Sequence, residues 1–151
     1  MIKLWIFALS LLLPGLASAQ EIYDCSGWQG SARNIVEPWE AHTRTFANGQ
    51  IRVALLDTVE PAAGAFYLLI LSPPYDELGG RGCTLVGANG GIGFSGADFP
   101  AMGASYDPVQ GLTLRMGVQV FAPAVGGFDP AILAVTINQA TGTVTPVYEI
   151  P

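Results

Sequence analysis

An aromatic residue stands directly before an aspartate four times in this chain, at Tyr23-Asp24, Tyr75-Asp76, Tyr106-Asp107 and Phe128-Asp129. Asp98-Phe99 is the same pair inverted. A ring beside a carboxylate suits carbohydrate: the ring face stacks on sugar C–H groups, and the carboxylate accepts hydrogen bonds from hydroxyls. Loop aspartates are also the oxygen ligands that calcium takes, but the chain has no Asp-x-Asp-x-Asp run. Ordinary turn chemistry produces the same pattern. Asp bonds its own backbone, Pro108 and Pro130 after the last two pairs fix φ, and the ring packs back onto the core. A binding role therefore requires at least three of the pairs at one end of the fold.

The loop Ser72–Gly82 is the longest well-marked connection and carries Tyr75, Asp76, Glu77 and Arg81. With Tyr106, Asp107, Phe128 and Asp129 these are the candidate ligand-binding residues, since loops on rigid scaffolds concentrate binding groups. Asp76 and Glu77 are also the carboxylates that a small hydrolase would use. No catalytic residue is assigned, however. His42 is the single histidine, and no Gly-x-Ser-x-Gly elbow is present. One His, with two Cys that pair with each other, leaves no metal set and no residue set that calls for a cofactor. The Gly-rich run 87–96 lacks the Gly-Lys-Ser/Thr ending of a phosphate loop and reads as tight turns.

Residues 1–19 read as a cleavable signal peptide. Met1-Ile2-Lys3 is a cationic start, Leu4–Leu13 an apolar run, and Ala17-Ser18-Ala19 a small-residue cleavage site. The apolar run is too short for a spanning helix. Cleavage after Ala19 leaves residues 20–151 as one domain with no integral membrane segment, destined for a periplasm or the cell exterior. Lys3 leaves with the signal, so five Arg face twelve acids, a formal charge of 5 − 12 = −7. That balance argues against nucleic acid, which selects basic patches. In an oxidising compartment Cys25 and Cys83, 58 positions apart, are expected to form a disulfide.

The elements that would position these groups are strands. Leu112, Leu114, Met116, Val118 and Val120 alternate with Thr113, Arg115 and Gln119, the period of a half-buried strand. Gly64–Ser72 is apolar on both faces, as in a central strand covered on both sides, and Pro73-Pro74 is expected to stop it. Weaker strands are expected at Ile22–Ser26, Cys83–Ala88, Ile92–Ser95 and Gly103–Tyr106, and a hairpin joins Ala131–Asn138 to Thr143–Ile150. Asn48-Gly49 marks a second hairpin. Of its two registers, a bulged loop pairing Thr45 with Ile51 is favoured, because a two-residue turn pairing Phe46 with Ile51 would put Arg44 on the apolar face.

The sum is an all-β, single-domain antiparallel β-sandwich or small β-barrel of about eight short strands. The functional expectation is a non-catalytic binding module for an unknown protein or glycan. The alternatives are a small hydrolase using loop carboxylates and an assembly subunit that pairs through a strand edge.

Overall fold

A computed structural model of the protein describes residues 21–89 and 91–149. The signal-peptide reading over residues 1–19 and the strand end at Ile150 lie outside the described residues. Ten strands are present: β1 (Glu21–Asp24), β2 (Thr43–Phe46), β3 (Ile51–Asp57), β4 (Phe66–Tyr75), β5 (Arg81–Gly87), β6 (Gly96–Ala97), β7 (Gly103–Asp107), β8 (Gly111–Ala122), β9 (Gly127–Ile137) and β10 (Val144–Glu149). They form two antiparallel sheets. The first has the order β1-β5-β4-β3-β2; in the second, β10-β9-β8 is continued by β6 and β7, which both pair with β8. The sheets pack face to face and do not close into a barrel.

The strand count exceeds the expected eight by two, one of them arising because the edge of the second sheet is split into β6 and β7. Between β6 and β7 the chain leaves the sheet and drops Phe99 and Met102 into the core, where both are buried. That core is shared. Ile51, Val53, Leu68 and Ile70 of the first sheet meet Leu112, Leu114, Leu133 and Val135 of the second. The alternation read along β8 is the cause, since its even-numbered residues from Leu112 to Val118 are all buried.

Three local expectations are corrected. Pro73-Pro74 does not end β4, which runs on to Tyr75 opposite Arg81. The register shifts between Ser72 and Tyr75, so the prolines lie in an irregularity where no ladder N–H is needed. Ile92–Ser95 is not a strand, and only Phe94 forms an isolated bridge, with Phe66. There Gly93 is packed so closely that a Cβ would fall 2.3 Å from the Phe66 carbonyl oxygen, so this part of the Gly-rich run serves close backbone packing.

The third correction is the hairpin register. Phe46 pairs with Ile51 and Arg44 with Val53, and the turn over residues 47–50 holds Ala47, Asn48 and Gly49 at φ of 52°, 54° and 82°. The objection to this register was an unpaired Arg44. In fact its guanidinium donates to the carbonyl oxygens of Met102 (2.9 Å) and Pro100 (2.6 Å) and lies over the Phe99 ring, 5.5 Å from the centroid. The partners come from the loop between β6 and β7, more than fifty residues away in sequence.

Between β1 and β2 the chain forms a strap, residues 25–42, across the outer face of the first sheet. It consists of two 3-10 turns and one α-helical turn, α1 (Trp39–His42). His42 closes α1, with Nδ1 3.1 Å from the Pro38 carbonyl oxygen. Under the strap Ala54, Leu56, Tyr67 and Leu85 make a second, smaller core against Tyr23, Cys25 and Ile35. The Cys25–Cys83 disulfide, with Cα atoms 5.8 Å apart, fastens the strap to β5.

Candidate functional site

The β2–β3 turn, the β4–β5 loop, the β7–β8 turn and the β9–β10 loop gather at one end of the sandwich. Arg81 donates from Nε to the Gln50 carbonyl oxygen (3.2 Å), and the Gln139 amide donates to Gln50 Oε1 (3.2 Å). The β3–β4 loop and the β8–β9 turn lie at the opposite end, as the antiparallel order requires.

The candidate residues divide between these ends. Tyr75, Asp76, Glu77 and Arg81 share the first end with Tyr106 and Asp107. Phe128 and Asp129 lie at the other, and not in a turn: both belong to β9, where Phe128 faces Phe121 across the ladder with ring centroids 6.1 Å apart. Tyr23-Asp24 sits in β1 at the margin of the first sheet, its tyrosine ring edge-on to Tyr67 at 5.9 Å. Phe99 of the inverted pair is core. Two pairs therefore meet at one end, short of the three that the sequence argument requires.

Most of the aspartates shape their own turns. Asp76 Oδ1 accepts from the Leu78 and Gly80 amides (2.9 and 2.7 Å), and Asp107 Oδ1 from those of Val109 and Gln110 (both 2.8 Å). The Gln110 and Val109 amides hold the Asp107 carboxyl below its ordinary pKa. Asp24 is lowered in the same way by its hydrogen bonds to Ser26. Arg81 is bound to a turn carbonyl and lies over the Tyr75 ring, 5.3 Å from its centroid, which makes the pair a brace between the β4–β5 loop and the β2–β3 turn.

What this end offers a ligand is a pocket of about 400 Å³ between the β2 edge of the first sheet and the β7 edge of the second. Phe46 and Leu112 form apolar wall, Tyr106 contributes a ring that is 67% exposed, and Asn48, Gln50 and Gln139 contribute side-chain amides. Tyr106 pairs with Leu112 in the ladder, which turns it toward the gap between the sheets. The site thus combines a stacking surface with amides that both donate and accept. No cluster of three or more His, Cys, Asp or Glu suited to a metal ion occurs among the described residues.

Sequence reasoning found Tyr106 and missed the amides. Asn48 and Gln139 were visible as members of two turns, but nothing along the chain says that these turns touch. Trp28 and Trp39, each 52% exposed on the strap, also went unmarked. Comparison with known protein families, with curated proteins and with solved structures finds no match for this chain. Among the described residues, no helix is long and apolar enough to cross a membrane.

Proposed function

We propose that this protein is an exported, non-catalytic binding module that takes a glycan at the loop end of its sandwich. The observation that carries the reading is the pocket in which the exposed Tyr106 ring stands among the Asn48, Gln50 and Gln139 amides. Sugars present apolar C–H faces beside hydroxyls, and this set answers both. The residue types also favour binding over hydrolysis. Asp76 uses Oδ1 on two turn amides, and the pocket lining has no carboxylate to act as acid or base. Export rests on the signal-like residues 1–19, with which a Cys25–Cys83 disulfide agrees.

A glycan array with the wild type and Tyr106→Ala tests the binding. At least one glycan is expected to bind the wild type and to lose tenfold or more in Tyr106→Ala; equal binding by both proteins overturns the site. Turnover of a bound glycan that disappears in Asp76→Ala or Glu77→Ala would favour the hydrolase instead. Mass spectrometry of the protein recovered from an expressing bacterium is expected to give a mature chain that starts at Gln20.

A further inference from the structure

The strap covers only part of the outer face of the first sheet. Across β2, β3 and β4 two ranks of side chains share that face: Thr45, Arg52 and Leu71, then Thr43, Ala54 and Leu69. Leu56, Tyr67 and Leu85 are sealed beneath the strap, whereas Leu69 and Leu71, on the central strand of the same sheet, are only half-buried. The uncovered area is a groove of about 490 Å³, closed at one end by Ile35 of the strap.

We propose that this groove binds a small amphipathic anion, specifically a medium-chain fatty acid. Two of its polar lining residues are already engaged, Thr43 donating its hydroxyl to the Trp39 carbonyl oxygen (2.8 Å) and Arg44 its guanidinium to the Met102 and Pro100 carbonyl oxygens, which leaves Arg52 and Thr45 at one end. Arg52 is exposed and has no acidic partner, the one ion pair among the described residues being Arg115–Glu149. A free guanidinium in a chain of negative net charge is a specific place for a carboxylate, and the exposed Thr45 hydroxyl lies beside it in the same rank. From there the floor runs through the apolar Leu71, Ala54 and Leu69 to Ile35, with Thr43 at its β2 margin. Ile35 bridges to Leu56, four residues along β3 from Arg52. At about 3.3 Å per residue that is roughly 13 Å, the reach of an acyl chain of roughly eight to ten carbons.

The size of the groove points to a small molecule rather than a protein. Its volume lies within the range of small-molecule pockets, which are mostly apolar with a few placed polar groups. The groove is separate from the loop-end pocket in every lining residue.

Titration of the 15N-labelled protein with butyrate, hexanoate, octanoate and decanoate, each below its critical micelle concentration, tests the proposal. Amide shifts are expected at residues 43–45, 52–54 and 69–71, with affinity rising about 3- to 4-fold per added methylene. Arg52→Gln is expected to weaken octanoate at least tenfold and to leave 1-octanol unchanged. This surface substitution is not expected to disturb the fold, and retention of the wild-type spectrum checks that. Three outcomes overturn the proposal: no shifts in the groove, an affinity independent of chain length, or octanoate binding equally to the wild type and Arg52→Gln. Groove shifts that follow protein concentration instead of octanoate would assign the face to a second copy of the chain and would also overturn it.

Discussion

Leu85 and Thr136 both lie mid-strand on the outward side of a five-stranded sheet, yet Leu85 is fully buried and Thr136 only half-buried. Beside Leu85 on the first sheet stand Leu56, Tyr67 and the strap that covers them. Beside Thr136 on the second stand Thr113, whose hydroxyl lies within hydrogen-bond distance (3.0 Å), and the exposed pair Arg115 and Glu149. A sheet whose strands are apolar on both sides needs a second cover, and a sheet whose strands alternate does not. The first sheet therefore carries a third layer made of irregular chain. Because that layer has little regular hydrogen bonding of its own, it is held by a covalent bond and by the apolar residues under it.

The largest effect that could break this contrast is loss of the disulfide. Replacing Cys25 and Cys83 together with Ser is expected to cost about 4 kcal/mol on the chain-entropy account of a loop of this length. Urea denaturation reads the cost. Hydrogen exchange should show the strap amides opening while β8 and β9 stay protected. Equal loss of protection in both sheets would mean that the strap is not a separate layer.

Truncation compares the faces directly. Leu85→Ala is expected to cost about 3 kcal/mol, because it leaves a cavity beneath the strap. Thr136→Ala removes one half-exposed hydroxyl contact and should cost less than about 1 kcal/mol. Equal costs in thermal or chemical denaturation would erase the distinction. Smaller still is Arg115→Gln, which removes an ion pair in solvent and should change stability by less than about 1 kcal/mol.

Alkaline titration sharpens the same comparison. Burial raises the Tyr23 and Tyr67 phenols above their ordinary pKa, and for Tyr23 the hydrogen bond to Glu21 adds to the effect. Both belong to the outer side of the first sheet. A group whose folded pKa is raised contributes stability that is complete below its unfolded pKa, about 10, and lost as the pH rises past it. Stability is therefore expected to fall above pH 10, and to fall less steeply in Tyr23→Phe; identical pH profiles for the two proteins would contradict this. In the shared core, burial pushes Tyr148 up to about 12 and its hydroxyl has no hydrogen-bond partner among the described residues. Tyr148→Phe should accordingly be neutral or stabilising.

Much of this architecture was legible in the chain. The period of two along β8, the two-sided apolar run of β4 and the single Cys pair each rest on local facts or simple counting. The mistakes share a cause. The pattern around Asn48-Gly49 places Arg44 on the polar face, because its two carbonyl acceptors lie in a loop remote from it in the chain. Pro73-Pro74 locally predicts a stop, because the irregularity that admits the prolines depends on the pairing with β5. Turn chemistry accounts for Tyr75-Asp76 and Tyr106-Asp107 but not for Phe128-Asp129, which lies inside β9, and the partition of the pairs between two ends depends on the direction of every strand.

What the sequence by itself determined is the class of object: strands with known faces, a bridge between Cys25 and Cys83, turns at Asn48-Gly49 and after Asn138, and an acidic composition. These follow from side-chain period, backbone preference and charge, which act over a few residues or are merely counted. Only the tertiary structure decided that Gln50 and Gln139 touch, that Tyr106 opens into the gap between sheets, and that Arg52 stands unpaired above an apolar groove. Each of those depends on how two sheets stack and how far one strap reaches, and these are set by packing among residues remote in the chain.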